Sequence, residues 1–152
     1  MKHLILIGCS RKKLTQAAPA MDLYCSPLFR AARAYAEKHG DAWAVLSAKH
    51  GVVLPETVLE PYDTTASVQM ANGVWKTQCE YDRWLAEQIH SWALRMRKAG
   101  EDWRLTVLAG VDYTRCIRHL AGDISTPLEG MGVGQRLHWL KAMCRVEEVA
   151  PC

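Results

Sequence analysis

The sequence predicts a three-layer α/β fold in which a mainly parallel sheet of about four strands is flanked by helices. Short apolar runs that end at glycine or a polar residue alternate with stretches of helical apolar spacing, an order typical of a parallel sheet with helical crossovers. The length of 152 residues fits one compact domain, and we expect residues 1–152 to form it. The fractions of 49% hydrophobic and 23% charged residues are those of an ordinary globular protein.

The first strand and the first helix have clear boundaries in the sequence. The strand is predicted over residues 3–8, because a short apolar run ends at Gly8. The helix begins with Ser26 as its N-cap and Pro27 at its first position, and it ends at Gly40. Its apolar residues recur on one side and its charges on the other, so we expect it to cover a sheet.

The next segments are a strand and a long irregular stretch. Residues 42–46 form a second apolar run, and the order strand, helix, strand predicts that the first two strands are parallel neighbours. Residues 52–74 contain Pro55, Pro61 and Gly73 and show little periodicity. We predict that they form an extended surface excursion, and long loops of this kind often carry function.

The second half of the chain repeats the alternation of helices and strands. Apolar residues at three-and-four spacing predict a helix over residues 76–98, which is the clearest helical pattern in the sequence. A third strand is predicted over residues 104–109 and a helix over residues 112–121. A short extended segment at residues 124–126 then leads through a glycine-rich loop into a final helix, residues 134–143.

Bulk properties restrict the classes of partner and the location. No stretch approaches the roughly 20 apolar residues of a membrane helix, and the N-terminus does not resemble a signal peptide. We therefore expect a cytoplasmic protein without a membrane partner. The formal net charge of +3 favours an anionic partner without requiring one.

The cysteines give no sign of a metal site or a disulfide framework. Their spacing never forms the short pairs of zinc sites, and free thiols are the default in a reducing cytosol. We predict no metal and no cofactor. The six cysteines are Cys9, Cys25, Cys79, Cys116, Cys144 and Cys152.

Four loops are predicted to share one edge of the sheet. In open parallel sheets, ligands bind outside the carboxyl ends of the strands, where loops converge and helix N-termini present unpaired N–H groups. The four loops are rich in glycine or polar residues and should line one crevice. They span residues 8–13, 47–51, 110–113 and 127–136.

The first of these loops combines a small residue, a thiol, a hydroxyl and cations. Ser10, Arg11 and Lys13 are candidates for binding an anionic substrate, although the loop is neither a Walker loop nor a dinucleotide fingerprint. Cys9 is a candidate nucleophile, since a neighbouring cation such as Lys13 or His50 can stabilise a thiolate. The alternative is that Cys9 packs or makes a hydrogen bond.

The second loop places a hydroxyl, an ammonium group and an imidazole directly after a buried strand. Ser47 and Lys49 are candidates for substrate binding, and His50 is a candidate acid or base near neutral pH. Charges at such a position are costly unless they are used or paired. The alternative is structural: Lys49 pairs with Glu60 or Asp63, and His50 packs.

The irregular stretch supplies the acidic candidates. Glu60 or Asp63 is expected to orient His50 or to act as a general base, and Tyr62 is a candidate substrate contact. Equally, Tyr62 and its neighbouring proline could anchor the long loop to the body. In the remaining two loops, Tyr113 and Arg136 are further candidates for substrate binding.

Several sequence blocks match a known pattern. They are Cys9-Ser10 with Lys13, Tyr24-x-Ser26-Pro27-Leu28-Phe29, Leu46-Ser47-Ala48-Lys49-His50-Gly51, Pro61-Tyr62-Asp63, and Pro127-Leu128-x-Gly130 through Trp139-Leu140. In these blocks the chain resembles an uncharacterised domain family found in phage and bacterial genomes, over nearly its whole length. More distantly, it is similar to YaaA-type peroxide-stress proteins, which bind DNA, and to a domain of archaeal transfer-RNA base-modification enzymes. The resemblance implies a nucleic-acid or nucleobase setting.

Two hypotheses about function follow, from different classes. The first is an enzyme that acts on a nucleobase or nucleotide, at a glycosidic bond, in the manner of a glycosidase or transglycosylase. The second is a non-catalytic nucleic-acid-binding protein in stress response or phage defence. A third, a structural or partner-binding phage protein, requires that no crevice joins the four loops. The sequence leaves open whether the chain is an enzyme, which reaction it performs and how many chains assemble.

Overall fold

The central element of the fold is a five-stranded sheet. The computed structural model describes residues 1–63, 75 and 77–149, with side chains through residue 144. In chain order the strands are β1 (Lys2–Gly8), β2 (Ala18–Pro19), β3 (Ala42–Ser47), β4 (Gly51–Val53), β5 (Val58–Leu59), β6 (Trp103–Leu108) and β7 (Asp123–Ser125). The spatial order in the five-stranded sheet is β4-β3-β1-β6-β7, and a separate two-stranded sheet pairs β2 with β5.

The sheet is parallel except at one edge. β1 lies between β3 and β6 and is parallel to both, and β7 continues the parallel order beside β6. Leu4, Leu6, Ile5 and Ile7 of β1 are all fully buried, because helices cover both faces of the central strand. A strand buried on both faces needs a continuous apolar run, which is the pattern that predicted it. The predicted mixed α/β fold with a mainly parallel sheet is confirmed.

One edge of the sheet differs from the prediction. The segment predicted as a surface excursion over residues 52–74 begins with β4, which pairs antiparallel with β3 through Val45 and Val53. Three residues are too few to show an alternating pattern in the sequence, so the pairing is visible only in the fold. Gly51 has a φ of +76°, a backbone conformation that glycine adopts without strain and that starts the returning strand. Residues 64–74 of the predicted excursion lie outside the described residues.

Helices cover the sheet at most of the predicted places. The helix Pro27–His39, α2, begins as its sequence indicates, because Ser26 Oγ accepts a hydrogen bond from the Phe29 N–H at 3.1 Å. The predicted helix over residues 112–121 is instead one α-helical turn and a 3₁₀ helix, in which Arg115 bonds to Asp82 and Cys116 is buried, so tertiary contacts decide its winding. The helices are α1 (Ala20–Leu23), α2 (Pro27–His39), α3 (Gln78–Met96), α4 (Val111–Thr114), the 3₁₀ helix (Arg115–His119) and α5 (Val133–Val149).

The core has two halves, one on each face of the sheet. On one face, Leu4 and Leu6 pack against α3 and the 3₁₀ helix, with Trp92 fully buried among them. On the other face, Ile5 and Ile7 pack against α2 and α5. Within the described residues, no helix has the length and apolar content that crossing a bilayer requires.

Candidate functional site

The strand order creates a crevice at the carboxyl ends of β1 and β6. From β1 the chain crosses to β3 on one side and later to β6 on the other side, so β1 and β6 flank the point where the order reverses. Ligands of open α/β sheets bind at such switch points. A cavity of about 150 Å³ lies there. Its lining includes Gly8, Cys9, Ser10, Ser26, Leu28, Phe29, Leu108, Gly110, Tyr113, Leu128 and Arg136.

Cys9 and Tyr113 meet across this crevice. Cys9 Sγ lies 3.1 Å from Tyr113 Oη, and the Cys9 N–H is held by the Leu46 carbonyl at 3.0 Å. Burial raises the pKa of Tyr113, so its hydroxyl keeps its proton at neutral pH and is able to donate to the sulfur. Gly8 permits this approach, since a Cβ at that position would stand 3.0 Å from Ala109 Cβ.

Arg136 brings a cation to the mouth of the same crevice. Its Nε donates to the Met131 carbonyl at 2.8 Å, which fixes the side chain over the glycine-rich loop. A Cβ at Gly110 would stand 3.6 Å from Arg136 Nη1, so the guanidinium group faces the loop that follows β6. No carboxylate of the described residues pairs with this guanidinium group. Three of the four predicted loops, residues 8–13, 110–113 and 127–136, therefore meet at the crevice.

Three hydroxyl groups, which we call the hydroxyl cluster, lie beside the crevice at the end of β3. Tyr62 Oη lies 2.6 Å from Ser47 Oγ and 2.5 Å from Tyr24 Oη. Ser47 Oγ also accepts hydrogen bonds from the N–H groups of Lys49 at 3.2 Å and His50 at 3.1 Å. Ser47 and Tyr24 are buried, whereas Tyr62 is partly exposed.

Two ammonium groups stand over the rings of this cluster. Lys13 Nζ lies 4.5 Å from the centroid of the Tyr62 ring and 5.7 Å from that of Tyr24. Lys49 Nζ lies 5.8 Å from the Tyr62 centroid. All three distances are within the range of cation–π attraction. This attraction does not neutralise the ammonium charges, so they remain available to an anion. In the part of the chain that the structure describes, neither ammonium group pairs with a carboxylate.

His50 joins the cluster from the same loop. Its ring meets the Tyr62 ring edge to face, with centroids 5.2 Å apart. Burial and, to a smaller extent, the Lys49 charge lower the pKa of His50, so the imidazole is neutral at pH 7 and can accept a proton.

The two predicted carboxylates are not assembled with His50. Glu60 and Asp63 are both exposed. Among the described residues, neither forms a hydrogen bond or ion pair, with His50 or with Lys49. The structural alternative for Lys49, pairing with one of these carboxylates, therefore has no contact in its favour. Tyr62 lies between them in sequence and is the residue of this segment that reaches the site.

The first loop contributes less than its sequence suggested. Ser10 lines the cavity, but its Oγ donates to the Lys12 carbonyl at 2.9 Å and so stabilises the loop itself. Arg11 is exposed at the rim, and its carbonyl accepts a hydrogen bond from Lys13 Nζ at 3.4 Å. Of the predicted anion ligands in this loop, Lys13 is the one that the structure places over the hydroxyl cluster.

Sequence reasoning missed two residues that hold the site together. Tyr24 belongs to the Tyr24-x-Ser26-Pro27-Leu28-Phe29 block, which carries part of the family resemblance but assigns no role to this tyrosine. Tyr81 of α3 is fully buried, and its Oη donates to the Ala48 carbonyl at 2.8 Å, which anchors the loop after β3. A buried tyrosine must find a partner for its hydroxyl, but the sequence does not say which one.

The described residues offer no metal site. No group of three or more His, Cys, Asp or Glu side chains in the described ranges is arranged to hold an ion. The cysteines of these ranges are free thiols, namely Cys9, Cys25, Cys79, Cys116 and Cys144. Cys152 lies outside them.

Fold and site together define an open, mainly parallel α/β protein with a cationic, hydroxyl-rich site at the carboxyl edge of its sheet. The chain belongs to the family of unknown function DUF6884, whose model matches residues 4–142 and so includes all four loops. It is similar to the uncharacterized protein YfjM of Bacillus subtilis (strain 168), with 39% identity over 151 residues that cover 92% of this chain and 93% of that protein. No solved structure gives a significant match. The expectation of an uncharacterised family is confirmed.

Proposed function

We propose that this protein is an enzyme that acts on a nucleotide or nucleobase and binds the phosphate at Lys13 and Lys49. One observation carries the proposal: two ammonium groups converge on the Tyr62 ring, beside the crevice, without a carboxylate partner in the described residues. A concentration of unneutralised positive charge at strand ends attracts an anionic ligand. Arg136 adds a third cation at the opposite side of the crevice.

The cavity supports a second anchor for the same ligand. Its walls are largely apolar and aromatic, with Phe29 and Leu128 among them, and Cys9 and Tyr113 supply polar atoms. Such a lining suits a nucleobase, whose flat faces pack on apolar and aromatic side chains and whose edge forms hydrogen bonds with polar atoms. With the phosphate at the lysines and the base in the cavity, the sugar would lie between them. We therefore assign the reaction to hydrolysis of the glycosidic bond, with Cys9 as candidate nucleophile. Its sulfur would bond to the sugar carbon as the bond to the base breaks, the thiol proton would pass to the departing base, and water would then release the sugar and restore the thiol.

His50 is the candidate acid or base in this proposal. Its neutral imidazole stands on the same loop as Lys49 and contacts the Tyr62 ring, over which the two ammonium groups lie. Glu60 and Asp63 have no direct role in this proposal, because their carboxylates are exposed and, among the described residues, form no hydrogen bond or ion pair with His50. The resemblance to a domain of archaeal transfer-RNA base-modification enzymes supports the nucleobase setting.

Ligand screening tests the proposal directly. The full chain is screened by thermal shift and native mass spectrometry against nucleosides, nucleotides and short oligonucleotides, and hits are assayed for release of free base. We expect a mononucleotide to bind, and Lys49→Ala to weaken it at least 10-fold. His50→Ala should lower base release more than binding. Lys98→Ala removes an exposed cation just after α3 and serves as the control. Binding that survives Lys49→Ala unchanged would refute the phosphate assignment.

A second candidate function rests on the exposed cations at the rim. Arg11 and Lys12 extend the positive charge of Lys13 beyond the crevice, as a surface that tracks a nucleic-acid backbone would require. A non-catalytic binding protein would prefer oligonucleotides to mononucleotides and release no base. Its affinity would fall with salt at a slope of about 0.9 per phosphate contacted. The salt series therefore separates this function from the enzyme.

A further inference from the structure

The hydroxyl cluster holds one hydrogen more than its internal bonds use. Ser47, Tyr62 and Tyr24 carry three hydroxyl hydrogens, and the cluster contains two hydroxyl–hydroxyl bonds, at 2.6 Å and 2.5 Å. Each bond consumes one hydrogen. One hydroxyl must therefore point its hydrogen outside the cluster, and the donors and acceptors around it determine which one.

The direction of the first bond follows from the backbone. A serine hydroxyl has two acceptor sites and one hydrogen. Both acceptor sites of Ser47 Oγ are taken by the N–H groups of Lys49 and His50. Ser47 must therefore donate its hydrogen to Tyr62 Oη.

The direction of the second bond follows from burial. Tyr24 is 1% exposed, and burial raises its pKa to about 12, so it is a neutral phenol at pH 7. Its hydroxyl forms a hydrogen bond with Tyr62 Oη. Ser47 Oγ, which also contributes to the pKa of Tyr24, has no acceptor site left. A buried donor left without an acceptor loses its hydration with no compensation. Tyr24 therefore donates to Tyr62.

Tyr62 is then the hydroxyl with the unused hydrogen. Its oxygen accepts from Ser47 and from Tyr24, and burial keeps it protonated by raising its pKa. It is also the partly exposed member of the cluster, and the Lys13 and Lys49 ammonium groups stand over its ring. A donor beside two positive charges recognises an anionic oxygen.

We infer that Tyr62 donates its free hydrogen bond to an oxygen of the ligand's phosphate, while Lys13 and Lys49 supply the charge. Tyr24 is a positioning residue in this arrangement, because it orients the Tyr62 hydroxyl without touching the ligand. The inference rests on the proposed function for the identity of the ligand. The orientation of the hydroxyls is independent of it.

Calorimetric titration with inorganic phosphate, the four ribonucleoside 5′-monophosphates and their parent nucleosides tests the ligand contact. Tyr62→Phe should weaken phosphate and nucleotide binding by about 10-fold to 100-fold, the range of one hydrogen bond to a charged group. Tyr24→Phe should change the same affinities less than threefold, and Tyr62→Phe should leave nucleoside binding unchanged. Tyr35→Phe is the matched control, since its ring packs on His39 and Trp139 away from the cluster.

Two results would overturn the assignment of Tyr62. One is a Tyr62→Phe variant that binds phosphate and nucleotides within twofold of the wild type. The other is a Tyr24→Phe variant that binds them more tightly, because that would mean that Tyr62 normally donates to Tyr24 and is released by the substitution.

Hydroxyl exchange in the free protein separates this inference from the proposed function. With tyrosine labelled at ¹³Cζ, the deuterium isotope shift reports how fast each hydroxyl hydrogen exchanges with water. We expect Tyr62 to exchange faster than Tyr24, whose hydrogen is buried and bonded. If no phosphate compound binds but this order is found, the proposed function fails and the hydroxyl orientation holds. If Tyr62 exchanges as slowly as Tyr24, the orientation itself is wrong.

Discussion

At the amino ends of the strands, polar groups are matched to one another. The ring of His3 forms hydrogen bonds with the His39 carbonyl through Nδ1, at 3.0 Å, and with Thr106 Oγ1 through Nε2, at 2.9 Å. The backbone N–H of His3 donates to the Asp41 carboxylate. At the carboxyl ends, Lys13 and Lys49 have rings and carbonyls as neighbours instead of carboxylates. The matched polar groups maintain the fold, whereas the charges without carboxylate partners at the other edge are those that we propose to bind a ligand.

A second comparison lies within the carboxyl edge itself. Arg115 forms a 2.8 Å ion pair with the buried Asp82, and Asp82 also accepts from Gln78 at 3.0 Å. This pair ties α3 to the 3₁₀ helix, next to the loop that carries Tyr113. Asp82 is therefore a buried charge that supports the site, whereas Lys49 is an exposed charge of the site itself. The following predictions test whether these two kinds of charge behave differently.

The largest effect is expected for Asp82→Ala. Removing the buried partner leaves the Arg115 guanidinium group, itself only 24% exposed, with only the longer 3.4 Å contact to the exposed carboxylate of Asp112. We expect the free energy of unfolding to fall by about 3 kcal/mol, which urea denaturation measures. Asp82→Asn, which keeps the shape but not the charge, is the control for packing. A loss below about 1 kcal/mol would mean that the pair does not stabilise the fold.

Ser47→Ala should have the next largest effect. The substitution leaves two backbone N–H groups and the Tyr62 hydroxyl without their buried partner. We expect a loss of about 2 kcal/mol in the free energy of unfolding. Ser10→Ala removes a hydroxyl that bonds only within its own loop, and its smaller loss in the same denaturation series provides the comparison. Equal losses would contradict the special position of Ser47.

A smaller effect is expected from the pH dependence of stability at the amino edge. Burial, followed by the Arg104 charge, holds the pKa of His3 below its ordinary value of about 6.5. As the pH falls through 6.5, the unfolded chain takes up a proton that the folded chain does not, so the stability falls. His3→Gln should flatten the dependence of the urea midpoint between pH 7.5 and pH 5, and His90→Gln, on the exposed face of α3, is the comparison. An unchanged slope in His3→Gln would contradict the account.

The smallest change in stability is expected for the unmatched cations. Lys13→Ala and Lys49→Ala should each alter the free energy of unfolding by no more than about 0.5 kcal/mol, because neither charge has a buried partner. Thermal and urea unfolding of the two variants check this. A loss as large as that of Asp82→Ala would show that the lysines serve the fold.

Much of the fold was predictable because its signals are local. Runs such as Leu4 to Ile7 and the Ser26-Pro27 start of α2 reflect burial and capping, which depend on neighbouring residues. β4 was not predictable, because a strand of three residues acquires its identity only by pairing with β3. The 3₁₀ helix was not predictable for a similar reason, since its winding depends on contacts with α3.

The location of the candidate site was predictable from the sequence, whereas its hydrogen-bond network was less so. The rule that ligands bind at carboxyl strand ends identified the loops of Cys9, Ser47, Tyr113 and Arg136, which the structure brings to one edge. The positioning role of Tyr24 depends on the direction of hydrogen bonds between residues far apart in sequence. No pattern of spacing encodes that direction, so only the folded arrangement of donors and acceptors reveals it.

Mapping the ligand by nuclear magnetic resonance tests the central claim most directly. The ¹⁵N-labelled full chain is titrated with each of the four ribonucleoside 5′-monophosphates, and the shifts of the backbone amides are followed. We predict that the largest shifts fall in residues 8–13, 47–51 and 110–113 and vanish in Lys49→Ala but not in Lys98→Ala. Shifts centred on the amino ends around His3, or no shift with any of the four nucleotides, would contradict the claim that the carboxyl edge is a nucleotide site.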